Sequence, residues 1–312
     1  MTETYETLSD LIDTLDSIEL GEAQPIGNAH FIPILQNERD QQREYITAHE
    51  ALQKGLLEIV DSGRIDAVIA INRATQPVLF IAGMDVHAKG TQSRIIIGSH
   101  LVPPQTKVEL PCRCTHDVHP IHQYQCLMVD VEHYSVASPG VRGLSIAQSE
   151  AGQDRVWSKV RRHREKLKAS NIAGKPLLDK DESSSRLSDV QQHAAKAVQD
   201  ELEKVVPQEQ QVGLAVISEG QVQTIEIFDS PDTYKYFHSH LMERFAYEIA
   251  APKATPKKKV ASLRSNMLTE LLRLSQRLDI EDGKGTAQSK GKILGTLQNK
   301  DKKLVHLCLE KL

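Results

Sequence analysis

Aromatic residues are scarce in this chain. Phe, Trp and Tyr make up 4% of its 312 residues, and tryptophan occurs once, so aliphatic side chains have to build the core. No apolar run approaches the ~20 residues that a membrane-spanning helix needs, and no membrane association is expected. The opening stretch, MTETYETLSDLIDTLDSIELG, carries acids where a secretory signal carries positive charge and an apolar block. The expected location is the cytoplasm. Four cysteines are too few for a disulfide framework, and a reducing compartment leaves them available as ligands, nucleophiles or core residues. Neither sign of charge dominates: 38 Lys and Arg stand against 42 Asp and Glu, for a net charge of −4. That balance gives no whole-chain argument for nucleic acid. Several catalytic signatures are missing too, among them GxSxG, HExxH and a GxGxxG between strand and helix. The Gly- and Lys-rich stretch GKGTAQSKGKILG (283–295) fails the Walker spacing, because Thr286 stands five residues before Gly291 and Ile293 follows Lys292.

What is present reads as a globular α+β protein, 39% hydrophobic and 26% charged. Residues 4–16 pattern as a short amphipathic helix, with Leu8, Leu11, Ile12 and Leu15 on one face. AHFIPIL (29–35) reads as a strand with Pro33 at an edge or bend. A helix near 48–56 leads to strands in LLEIVDSG, IDAVIAIN (65–72) and PVLFIAG (77–83), then RIIIGSHLVPP, KVELPCRC and QCLMVDVEHY (125–134). The N-terminal half is therefore β-rich. The second half brings helices at 153–168 and 190–204. A hairpin turns at Glu219-Gly220. Ser230-Pro231 caps a further helix that carries Tyr234, Phe237, Leu241, Phe245 and Ile249 at core-facing spacing. APKATPKKK (251–259) reads as a loop or linker, 260–278 as an amphipathic helix, and GKILGTL with KLVHLCL as a closing hairpin. Strands flank the helices on both sides, so the last strands are expected to return to the first sheet. The expectation is one large domain over 1–312, with helices mainly from the C-terminal half and a soft boundary in the polar stretch 169–189.

Three segments carry chemistry. CRCTHDVHPIHQYQC (112–126) holds three of the four cysteines. Cys112, Cys114 and His116 alternate, so an extended strand puts them on one face. His116, His119 and His122 follow at intervals of three, which suits a turn. Thiolate and imidazole are the ligands zinc prefers, closed with four and catalytic with three plus water. Buried core thiols and solvated loop residues are the alternative. The second segment, Asp85 to Arg94, joins two apolar strands and holds its polar groups at the end of a sheet. There Asp85 could act as general base or orient a histidine. Lys89 and Arg94 suit phosphate, Gly90 allows close backbone approach, and His87 and Gln92 can bond a ligand. The third, RVWSKVRRHREKLK, has seven Lys or Arg between Arg155 and Lys168 against Glu165 alone. It reads better as the wet face of a helix, with Trp157 inward, than as a nucleic-acid grip.

Several pieces, in order, resemble a family associated with ADP-ribosylglycohydrolases and the rhodanese/phosphatase superfamily. They are PVLFIAG…KGTQSR…LVPP (77–104), LPCRC (110–114), QDRVW (153–157), VGLAVISEGQVQTIEIFDSPDTYKYF (212–237) and LVHLCL (304–309). Gln92 and Arg94 keep the family pattern, and Cys114 matches its cysteine. Met84-Asp85 stand where the family has Gly-Glu, and Lys89-Gly90 where it has a Gly pair. His116, Val118, His119 and Pro120 take the places of a Glu and a Gly-Arg-Trp. The resemblance implies one full-length domain acting near NAD-derived or ADP-ribose-type nucleotides. Three functional readings follow. The first is recognition of a small anionic, nucleotide or ADP-ribose-like ligand by Asp85, His87, Lys89, Gln92 and Arg94. The second is a metal-dependent hydrolase with Cys112, Cys114, His116, His119 and His122 as zinc ligands and Asp85 or Asp117 as base. The third is a non-catalytic scaffold. Protein partners and homo-oligomerisation stay open.

Overall fold

The structure, a computed structural model, describes residues 17–27, 29–36, 43–86, 93–115, 126–127, 136–137, 141–142, 152–169, 171–172, 175–176, 187–218, 221–246, 249, 279–281, 284–289, 293–300 and 303–311. The helix expected at 4–16, the linker at 251–259 and the helix at 260–278 lie outside the described residues. Strands outnumber helices, and the chain mixes both, as an α+β protein does. It divides into two compact units. Residues 43–197 form one, and residues 1–42 with 198–312 form the other. These boundaries fall at 42/43 and 197/198, whereas the polar stretch 169–189 marked the soft boundary in the sequence.

The unit made from both chain ends is built on a nine-stranded sheet. Ala29–Gln36 pairs with Gln211–Ser218, which pairs with Gln221–Phe228, which pairs with Lys303–Lys311. Ile293–Lys300, Lys284–Ser289 and Asp279–Glu281 continue the sheet outward. The C-terminal hairpin therefore does return to the first long strand's sheet. Pro33 departs from expectation. It lies inside Ala29–Gln36, with Leu214 paired on one side. Its other side faces the gap between Ile18–Leu20 and Gln24–Ile26, where only its carbonyl is used, accepting from Gly21 N at 2.9 Å. A residue without an N–H is tolerated where the neighbouring ladder is interrupted.

Alternation gives this sheet two faces. Ile32, Ile34, Ala215, Ile217, Ile225, Ile227, Leu307 and Leu309 share one apolar cluster. Helix Pro231–Glu243 belongs to the other face. Its Ser230 cap accepts from Thr233 N, and Pro231 occupies the first turn, which satisfies one orphan donor and needs no N–H at the other. Tyr234, Phe237 and Leu241 are buried, as the stripe predicts. Phe237 stacks on Phe228 at 5.3 Å between centroids, and Phe245 meets Phe31 edge-on at 5.7 Å. Gly213 is required where two strands pass closest: a Cβ there would stand 2.2 Å from the Glu226 carbonyl oxygen.

The 43–197 unit holds a six-stranded sheet in the order Cys126–Leu127, Leu57–Asp61, Ala67–Asn72, Lys107–Cys114, Arg94–Ile96, Asp85–Val86. A three-stranded sheet of His100–Val102, Val78–Phe80 and Ile46–Thr47 accompanies it. Thr47 and Glu50 form a reciprocal capping box that starts helix Ala48–Gln53. The NRATQ turn is organised by Asn72, whose amide donates to the Val102 and Pro103 carbonyls at 3.0 and 2.9 Å while its oxygen accepts from Ala74 N at 2.8 Å. Helix Gly152–Ala169 closes over the sheet: Val156 and Val160 pack with Ile95, Ala137 and Val141. Leu187–Ala197 and Gln199–Leu202 take the place of the single helix expected at 190–204.

Candidate functional site

The two ends of the Asp85–Arg94 segment pair as antiparallel strands. Strand Asp85–Val86 pairs with Arg94–Ile96, matching Asp85 to Ile95 and Val86 to Arg94. His87, Lys89 and Gln92 lie between them, outside the described residues. Arg94 is fully buried. Its two terminal nitrogens donate to the two carboxylate oxygens of Asp61 at 2.8 and 3.1 Å, and both side chains are at 0% exposure. A bidentate guanidinium–carboxylate pair is the arrangement that compensates two charges taken out of water. Asp61 reaches this position from the end of Leu57–Asp61, and it also accepts from Gly63 N at 2.8 Å, closing the Asp61-Ser62-Gly63 turn. Arg94 thus ties strand Arg94–Ile96 to the end of Leu57–Asp61.

Gly83 lies at the other end of that segment. Its φ of +84° is the left-handed region, and a Cβ would stand 2.5 Å from Cδ of the buried Arg142. Arg142 Nη1 donates to the Ala82 carbonyl at 3.3 Å. Asp85 is buried at 3% exposure.

Cys112 and Cys114 both fall on Lys107–Cys114 and share a face, opposite Ile96 and Arg94. Both are buried free thiols. Burial pushes the Cys112 thiol well above its ordinary range, against the opposing pull of the Arg94 guanidinium; a reactive or metal-bound cysteine needs the reverse. His116, His119 and His122 lie outside the described residues. The backbone of Cys114 is held by a side chain acting as a strand: Gln153 Nε2 donates to the Cys114 carbonyl at 2.5 Å, and Cys114 N donates to Gln153 Oε1 at 3.0 Å.

The other unit contains a second constellation, a buried ionic layer. Thr224, Glu226 and Phe228 project on the helix-covered face of Gln221–Phe228, directly across from Glu310, Cys308 and His306. Arg244, the C-cap of helix Pro231–Glu243, reaches over them. Its Nη1 donates to Glu226 Oε2 at 3.1 Å, and its Nη2 to Thr224 Oγ1 at 3.2 Å and to Glu310 Oε1. His306 Nε2 donates to Glu226 Oε1 at 2.9 Å, and Thr224 Oγ1 donates to Glu310 Oε1 at 2.8 Å. Arg244, His306 and Glu310 are at most 1% exposed. Among the described residues Glu226, Cys308 and Glu310 bring their potential metal-ligating atoms within 4.8 Å of one another, but the Arg244 guanidinium already supplies the positive charge a cation would bring. With every member buried, the layer has no face for a substrate and holds helix to sheet.

One known family matches the chain over residues 17–309, the ARG and Rhodanese-Phosphatase-superfamily-associated Protein domain, ARPP-1. The chain belongs to this family. No curated protein and no solved structure matches it. The ARPP-1 match runs across both compact units. No helix among the described residues of this ARPP-1 protein is long and apolar enough to cross a membrane.

The sequence assigned Arg94 to a phosphate, whereas both its terminal nitrogens bond Asp61 here; neither Asp61 nor the ionic layer was anticipated. The available signal for the layer was the pair TIEIF and HLCLE. Each alternates polar with aliphatic, and an Arg follows in the intervening amphipathic helix.

Proposed function

We propose that this ARPP-1 protein is a cytoplasmic binder of a small anionic ligand, of nucleotide or ADP-ribose type, recognised at the segment 87–92. The observation that carries this reading is the buried Arg94–Asp61 pair on the strand that follows that segment in the chain. It fixes the end of a sheet from which His87, Lys89, Thr91 and Gln92 are carried, a stretch with basic and hydrogen-bonding residues and no acid. A polar connection on a rigid base is where binding residues concentrate. In this reading Lys89 meets phosphate, His87 and Gln92 hydrogen-bond the ligand, Asp85 is the acid/base or orienting group, and Arg94 is a positioning residue. The family's association with ADP-ribosylglycohydrolases points to the same ligand class.

Thermal shift with ADP-ribose, AMP and NAD tests it. A ligand at a hundred times its Kd adds about 2.7 kcal/mol of stability, a rise of roughly 5–10 °C for a unit of this size. Lys89→Ala and Gln92→Ala should each reduce the shift without lowering the unliganded Tm. No shift with any of the three at millimolar concentration rejects the reading.

A further inference from the structure

An inner strand of the six-stranded sheet is apolar on both faces. Ala67–Asn72 reads AVIAIN, without a polar residue from Ala67 to Ile71, the pattern of a strand covered on both sides. One side is covered, for Val68 and Ala70 are fully buried. On the other side Ile69 and Ile71 are partly exposed, and so is Val60 beside them on Leu57–Asp61. The register joins these residues into one surface. Glu58, Ile71 and Lys107 form a row across Leu57–Asp61, Ala67–Asn72 and Lys107–Cys114, and Val60, Ile69 and Glu109 form the next. Helix Gly152–Ala169 covers the Arg113 end of the same face, where Val156 and Val160 pack on Ile95. Away from that helix, three adjoining aliphatic side chains form the middle of the face. Ion pairs stand at its rim, Arg73 with Glu58 at 2.8 Å and Arg64 with Glu109 at 2.7 Å. An apolar centre with a charged rim is the arrangement of an interaction surface.

The rows select a partner. Opposite charges stand at the two ends of the first row, with Ile71 between them. A two-fold axis lying between two such faces, along the direction of Ala67–Asn72, exchanges the ends of each row. Glu58 of one copy then faces Lys107 of the other, and Lys107 faces Glu58. Ile69 and Ile71 each meet their own counterparts. Val60 meets the stem of Glu109, whose carboxylate is bonded to Arg64. A two-fold contact requires a patch complementary to itself, and the Glu58–Ile71–Lys107 row meets that requirement. Lys107 makes no side-chain hydrogen bond or ion pair among the described residues, and the bond from Arg73 occupies Glu58 Oε2 and leaves Oε1. We propose that this face binds a second copy of this chain, sheet on sheet, in a symmetric dimer. Sheets packed face to face stand ~10 Å apart, a gap that Ile and Val side chains from both copies fill. A wholly acidic or wholly basic partner would leave one end of the row unmatched. The surface shares no residue with segment 87–92, so the dimer does not rest on the anionic-ligand reading.

Sedimentation of the full chain across the micromolar range should show a mass rising with concentration from one chain toward two. Ile69→Asp should raise the dimer Kd about thirtyfold or more, the effect of losing a central interface anchor. Lys107→Glu and Glu58→Lys should each weaken self-association about tenfold or more, because each sets like charges face to face at both ends of the row. Mixing these two variants should restore association, since one copy then carries two acids and the other two lysines at the facing positions. Circular dichroism checks that each variant is folded. Lys107 is exposed and Glu58 partly so, so the charge reversals stand as a test even if Ile69→Asp does not fold. A chain that stays monomeric overturns the proposal. So does a dimer that Ile69→Asp and both charge reversals leave intact. A mixture no better associated than its two components overturns it as well.

Discussion

Replacing Arg244 with Met should be among the most damaging single changes available to this protein. The methionine keeps much of the aliphatic stem against Phe245, over whose ring the guanidinium sits at 4.8 Å. What it removes is the cation that bonds Glu226, Thr224 and Glu310 together. Two carboxylates would then face each other across adjacent strands, with no water to solvate them. Breaking a buried ionic group by deleting one partner costs about 3–5 kcal/mol. In a unit of this size that corresponds to a Tm lower by roughly 6–20 °C. The assay is urea and thermal unfolding of the full chain, followed by circular dichroism. A second variant separates lost charge compensation from lost packing. Arg244→Met combined with Glu226→Gln and Glu310→Gln removes the stranded charges and should recover a large part of the loss, since neutral replacement of a buried ion cluster is often near neutral in stability. A single variant within about 1 kcal/mol of wild type, below the range for a broken buried pair, refutes the reasoning. So does a triple variant as unstable as the single one.

Two further outcomes follow from the same sheet. Gly213→Ala should destabilise by about 2 kcal/mol or more, in the range of overpacking strain, because the new Cβ meets the Glu226 carbonyl oxygen at 2.2 Å and backbone cannot rotate away; a Tm within 1 °C of wild type would contradict it. His238 makes stability depend on pH. Its ring is satisfied as the neutral tautomer, with Nε2–H donating to Val205 O at 2.7 Å and Nδ1 accepting from the Tyr234 hydroxyl at 2.9 Å. Burial lowers its pKa below the ordinary histidine value, and the bond to Val205 opposes this only in part. The unfolded chain therefore takes up the proton first, so the contribution is present above about pH 6.5 and is lost as pH falls below that value. The fall in Tm between pH 7.5 and 5.5 should be smaller in His238→Asn than in wild type; equal slopes would count against it.

The elements were legible where the signal was local. Glu219-Gly220 between two alternating runs, Ser230-Pro231 before an aromatic stripe, and LVHLCL at the end each specify their own structure within a few residues. Pro33 misled because its tolerance depends on a break in a neighbouring ladder, from Leu20 to Gln24, that no local pattern records. The two ionic constellations were hidden for the same kind of reason. Asp61 reads as a turn residue in VDSG, and 33 positions separate it from Arg94. Thr224 and Glu226, like His306 and Glu310, alternate with aliphatic residues, the pattern of a strand whose polar face meets water. What reverses that reading is a helix that covers the polar face and carries Arg244 onto it. Its charge complements the layer, and the complement lies 18 residues from Glu226 and 66 from Glu310.

The contrast between the two ionic constellations bears on function. In the layer around Arg244, both terminal nitrogens, both carboxylates and the Thr224 hydroxyl are engaged with one another, while Arg244 Nε has no partner among the described residues. Such a group stabilises one arrangement of helix on sheet. The Arg94–Asp61 pair instead joins the strand that follows segment 87–92 to Leu57–Asp61, and Arg94 Nε is likewise without a partner among the described residues. Ser93 projects on the opposite face of that ladder, and its fully buried hydroxyl has no partner among the described residues either. Ser93→Ala therefore removes an uncompensated buried polar group, so the unliganded Tm should hold or rise. A Tm clearly below wild type would show a serine that serves the fold.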